Sequence, residues 1–244
     1  MKWLSIILAV LLLAPCVAAA QSINLDLGSG GGSTAGRLMQ LTALVTLLSL
    51  APSLLVMVTG FTRIVIVLSL LRGAIGAQGT PPNVVLIGLA MFLTYFVMQP
   101  VLDQAWTAGL LPMTEGRIGE LEGMQRAAEP FRKFMAGNVK ADDLQLFLDL
   151  ARLPAPPTVD AAPWRALIPG FLVGELRRAF EIGFLLYLPF LVIDMVVASV
   201  LMSLGMMMLP PSVVSLPFKL IFFVLVDGWR LACGSLVQSF NPSG

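Results

Sequence analysis

Histidine is absent from the 244-residue chain, and its two cysteines, Cys16 and Cys233, lie far apart in separate hydrophobic stretches. This excludes His/Cys metal sites, thiol–imidazole catalysis and a CxxC redox pair. Charge is scarce as well. Asp, Glu, Lys and Arg make up 12% of the residues, the net charge is +1, and no basic stripe of the kind that holds nucleic acid is present. No two acids cluster near a glycine-rich loop, so carboxylate chemistry finds no constellation, and neither enzyme activity, nor a cofactor, nor a metal is expected. What the chain does have is apolar: 57% hydrophobic residues and a mean hydropathy of +0.90, the composition of an integral membrane protein.

Residues 1–20 join a single Lys2 to an apolar run, Leu4 to Leu13, and a small-residue exit, Ala18-Ala19-Ala20. They read as a cleavable signal cut between Ala20 and Gln21. Residues 21–37, with a GSGGGS core, then form a flexible mature N-terminus on the trans side. Residues 38–102 read as a first helical hairpin pair. Leu38 to Val58 is uncharged and long enough to span, bent at Pro52, whereas Ile64 to Leu71 is too short to cross alone and either extends that helix or folds back at Gly60. Val84 to Leu102 is a further span, closed by Pro100 and Asp103. With the N-terminus exported, the short loop bearing Arg63 and Arg72 falls in the cytoplasm.

Residues 103–165 are the long polar region, which this orientation places in the periplasm as a small helical loop domain. Ala141 to Leu153 has helical spacing, with Leu144, Phe147, Leu148 and Ala151 on one face and Leu146, Leu150 and Leu153 on another. A helix apolar on two sides needs two neighbours, and the loop offers chiefly Phe131, Phe134 and Met135. Either both faces are satisfied within the loop, or one meets another subunit, with Phe131, Phe134 and Phe147 as candidate contacts.

Residues 166–244 read as a second hairpin with a Met-rich turn. Glu175, Arg177, Arg178 and Glu181 stand at i, i+3 and i, i+4 offsets, which makes them mutually satisfying on a solvated helix entrance or, alternatively, an ion network between subunits. The arms are Ile182 to Leu204 and Val213 to Val237, joined by Gly205 to Pro211. Asp194 and Lys219 are equidistant from Met206-Met207, so an antiparallel hairpin places them at one depth, where each answers the other's burial cost. The alternative is that they face a water-filled path and act on a solute, as in a secondary transporter. Asp227 and Arg230 pair along their own helix. The tip carries Met206, Met207 and Met208 where a turn meeting water would be polar. Repeated around an oligomer axis, such tips would form a deformable gasket.

The stretches LAPSLLVMVTGFTRIVIVLSLLRGAIGAQGTPPN (Leu50 to Asn83) and FEIGFLLYLPFLVIDMVVASVLMSLGMMMLPPSVVSLPFKLIFFVLVDGW (Phe180 to Trp229) closely resemble the FliP family of flagellar export-gate proteins, core membrane components of type III secretion (FliP/SctR). The signal resembles the flagellar rather than the injectisome branch. The resemblance implies an all-α integral membrane protein and a pore subunit in the bacterial inner membrane and flagellar basal body, partly periplasmic. It implies assembly as a homopentamer with FliQ and FliR, contact with FlhB and other export proteins and with membrane lipid, and passage of unfolded flagellar substrates. It maps the pore constriction onto Met206, Met207 and Met208, and it implies that much of the assembled gate stands out of the membrane plane on the periplasmic side.

Overall fold

A computed structural model of the chain describes residues 56–240 except 78 and 207, together with positions 39, 41, 42, 45, 46, 49, 50 and 53, which are helical. Residues 1–47 and 48–244 form separate units. In the second unit, every regular element among the described residues is a helix.

After a break at Thr59-Gly60, α1 (Phe61–Ile75) starts with Arg63 already inside it and buries Ile64, Val67, Leu68, Leu71 and Ala74, a stripe at three- and four-residue spacing. It is the strut on which the helices Asn83–Ala105, Trp164–Ser203 and Pro211–Leu225 pack. The Arg63 reading is corrected here: the residue does not sit in a loop but is wholly buried in α1.

α2 (Asn83–Ala105) does not close at Pro100 and Asp103. It runs through a π-helical turn, Trp106–Leu110, into α3 (Leu111–Thr114), one apolar helix of 32 residues with mean hydropathy 2.0 in its most apolar window. A proline lacks only one N–H, so a helix held by its neighbours carries on past it. α4 (Glu120–Asn138) doubles back along α2 and the π-turn, where Gly109 lets the two backbones touch: a Cβ there would stand 2.4 Å from the Ala127 nitrogen. α5 (Ala141–Leu150) follows, and the Pro/Ala-rich linker from Pro154 to Pro163 holds only a 3-10 turn, Val159–Ala161.

α6 (Trp164–Ser203) is a single helix of 40 residues that keeps Pro169 and Pro189 inside it, so the charged segment and the apolar arm are one element. α7 (Pro211–Leu225) returns along it. The expected second arm, Val213 to Val237, is not one continuous helix: Asp227 takes φ 52 and α8 (Gly228–Gln238) leaves α7 at 62°. The Phe223 ring occupies the place where a side chain at position 228 would begin, which is why glycine follows the bend.

Among the described residues, two helices are long and apolar enough to cross a membrane, or three if the bent pair counts as one span. In the most apolar window of α6 only 11% of residues are buried, and Val84, Phe92, Leu185, Met195 and Val224 all point outward. An apolar surface of this extent needs a cover other than water.

Candidate functional site

The hairpin tip begins with the end of α6. Gly205, at φ 73, reverses the chain; its N–H donates to the Met202 carbonyl, and the Met206 N–H donates to the Leu201 carbonyl at 3.0 Å. This pair of bonds satisfies the last carbonyls of the helix, and it explains why a Gly-Met step ends the run. Pro210 and Pro211 then start α7. Met208 is 99% exposed and Met206 42%, with Leu204 and Leu209 open beside them. Met207 lies outside the described residues, as do Ala20 and Gln21.

One layer below, Lys219 Nζ donates to Asp194 Oδ2 at 2.6 Å and to the Ala74 carbonyl at 3.1 Å. Ser215 Oγ donates to Asp194 Oδ1 at 2.6 Å. Lys219 is 5% exposed and Ser215 wholly buried. The node thus ties both arms of the hairpin to the end of α1, with the ammonium buried and the Asp194 side chain 30% exposed. Asp227 and Arg230 meet loosely at 3.9 Å on the exposed side of α8.

A second node was not anticipated. Arg63 and Glu175 have no accessible surface; Nε donates to Glu175 Oε2 at 2.9 Å and Nη2 to Oε1, a fork on a carboxylate. Nη1 donates to the carbonyl and hydroxyl of Ser239, each at 2.9 Å, and the guanidinium lies 3.7 Å over the Phe240 ring. The node therefore joins α1, α6 and the end of α8. A signal for it does exist in the sequence: Leu167, Phe171, Glu175, Ala179 and Gly183 recur every four residues, which puts the acid on the buried stripe of α6 rather than on its wet side.

The other charges of that segment also look across elements, which corrects the intrahelical pairing. Arg177 donates to Asp143 at 2.6 Å, Arg178 to the Asn138 side chain at 3.4 Å, and Glu181 accepts from Lys140 at 3.4 Å. The turn between α4 and α5 lies against α6 and offers partners where a free helix would have only its own. Phe134 packs edge-on against Phe171 at 5.8 Å and stacks on Phe240 at 6.2 Å, so it belongs to the interior of the chain. Phe147 packs against the core of Met135, Leu148, Leu167 and Phe171, while Phe131 lines a groove with Tyr95 and Met98. The outward apolar residues of α5 are Leu146 and Leu150 instead.

The sequence model of the FliP family matches residues 44–236. The flagellar biosynthetic protein FliP of Caulobacter vibrioides is 56% identical over 228 residues, 93% of this chain and 85% of that protein. The protein of that name from Agrobacterium fabrum is 50% identical, covering 96% of this chain and 97% of its own. The one from Bacillus subtilis is 48% identical, covering 83% and 91%. With a match over most of its length, and relatives this similar end to end, the chain belongs to the FliP family.

Proposed function

We propose that this chain is a pore-forming subunit of the flagellar type III protein export gate in the bacterial inner membrane, conducting unfolded flagellar proteins past a constriction of Met206, Met207 and Met208. The observation that carries the reading is the α6–α7 tip: no charged residue lies between Leu204 and Val214, and Met208 stands 99% exposed. A soft tip rides on a stiff stem, since the Lys219–Asp194–Ser215 node holds the arms together below it. Unbranched thioether side chains re-pack at little cost, so a ring of such tips seals against ions and yields to a passing polypeptide. The names of the relatives, flagellar biosynthetic proteins, support the flagellar assignment.

In this reading the chain has no catalysis of its own and assembles as a homopentamer with FliQ and FliR, with FlhB nearby. The uncovered faces of α2, α6 and α7 meet lipid and neighbouring subunits, and the region from α4 to the linker is periplasmic. The outer face of α5, Leu146 and Leu150, contacts the next copy.

The test is replacement of Met206, Met207 and Met208 by Ala in the full complex. The expected result is an assembled gate that leaks small ions, read as dissipation of an imposed potassium gradient in reconstituted vesicles. An assembled gate that stays tight would overturn the constriction.

A further inference from the structure

A cavity of about 990 Å³ opens beside the N-terminal end of α7, between its first turns, the end of α1 and the 76–82 loop. Its lining includes Arg72, Lys219, Ser69, Thr80, Asn83 and Ser212, and among the described residues no carboxylate. Gly73 and Gly79 also line it, and a Cβ at either would meet nothing within 4 Å. The charge of Lys219 is answered by Asp194, but among the described residues no acid pairs with Arg72. Among them its Nη1 alone is engaged, donating to Asn83 Oδ1 at 2.6 Å and to the Pro81 carbonyl at 3.2 Å. Those two bonds hold the guanidinium in place, and its remaining N–H groups stay free to fork onto an oxyanion.

We propose that this cavity binds a phosphate-bearing group, with Arg72 as its anchor and the hydroxyls of Ser69, Thr80 and Ser212 around it. Two features favour the headgroup of an anionic phospholipid over a free phosphate as the source. The cavity is far larger than a lone phosphate fills, yet suits a glycerophosphate headgroup. It also lies where the apolar helices α2 and α7 begin: Val84, next to the lining Asn83, is 80% exposed, and Val213, at the cavity's edge, 65%. Polar loop passing into bare apolar helix marks the depth at which headgroups lie. The site would couple the hairpin arms, the α1 terminus and the surrounding lipid at one point, independently of any pore.

The full-length chain, purified in mild detergent and placed in nanodiscs of phosphatidylcholine with or without phosphatidylglycerol, tests this by native mass spectrometry of the lipids it retains. A single anchoring Arg gives about a fivefold preference for phosphatidylglycerol. Arg72→Gln is expected to abolish the preference, and Arg230→Gln, a change on an exposed side chain of α8, to leave it intact. Ser212→Glu serves as a second variant: it adds a carboxylate to the cavity at the first turn of α7, a position that favours an acid, so the fold is kept while binding is lost. Inorganic phosphate that binds wild type and not Arg72→Gln, with no preference among lipids, would support the site and make soluble phosphate its source. Loss of neither lipid nor phosphate binding in Arg72→Gln and Ser212→Glu overturns the site.

Discussion

Arg63 and Glu175, 112 positions apart in the chain, meet with no accessible surface on either side chain, and the carbonyl of Ser239 caps the free side of the guanidinium. Removing one partner of such a pair strands an uncompensated charge. Glu175→Ala is therefore expected to cost roughly 3–5 kcal/mol. The double variant Arg63→Met with Glu175→Leu is expected to recover most of that loss, because an apolar pair of similar volume needs no desolvation. Thermal unfolding of the detergent-solubilised protein measures both; a single variant as stable as the double would show that the pair is not acting as a unit.

The Lys219–Asp194 contact is directional in a way that a charge exchange exposes. Lys219 also donates to the Ala74 carbonyl, and Asp194 also accepts from Ser215. In Asp194→Lys with Lys219→Asp, the carboxylate introduced at position 219 faces a carbonyl, acceptor against acceptor. The exchange is expected to restore assembly only in part, and Ser215→Ala alone to cost about 1.5 kcal/mol by removing a hydrogen bond to a charged group. Assembly measured on native gels decides this: full rescue by exchange would mean that Ala74 plays no part.

The depth match of Asp194 and Lys219 was legible because both arms are measured from one turn, and equal offsets fall opposite each other whatever surrounds them. Arg63 and Glu175 were hidden because their closeness depends on how α1 packs on α6, which no local spacing encodes, and because Arg178 and Glu181 offered Glu175 and its neighbours a plausible pairing along their own helix. The continuation of α2 past Pro100 was missed for a related reason: a proline marks where a helix is free to end, while packing of α4 against Gly109 decides that it does not. The bend at Asp227 does carry a turn signal, the Asp-Gly step at 227–228, but the long apolar runs on both sides make the arm read as one helix.

Gly109 and Gly60 separate two kinds of close approach. A Cβ at Gly109 would press on the backbone of α4, 2.4 Å from the Ala127 nitrogen, whereas at Gly60 it would meet the Phe240 ring, 2.5 Å from its nearest carbon. A ring edge turns aside; a helix backbone has to move as a body. Gly109→Ala is expected to destabilise at or above the upper end of the usual 1–3 kcal/mol for overpacking, and Gly60→Ala at the lower end. Comparing the two melting temperatures checks this, and equal shifts would contradict it.

The two faces of α5 make the last distinction. Leu148 is 1% exposed and packs on α4 and α6, whereas Leu150 is 69% exposed and Leu146 49%. Leu148→Ala is expected to cost about 2–5 kcal/mol, the range for a buried leucine that leaves a cavity. Leu146→Glu with Leu150→Glu alters two exposed side chains outside the core, so the fold should hold within about 0.5 kcal/mol for each change. If that face meets the next copy, as proposed, the same double variant places two carboxylates in an apolar contact and the assembled complex falls to smaller species on size-exclusion chromatography. A complex of unchanged size would mean that α5 faces solvent in the assembly and that the contact between copies lies on the uncovered faces of α2, α6 or α7.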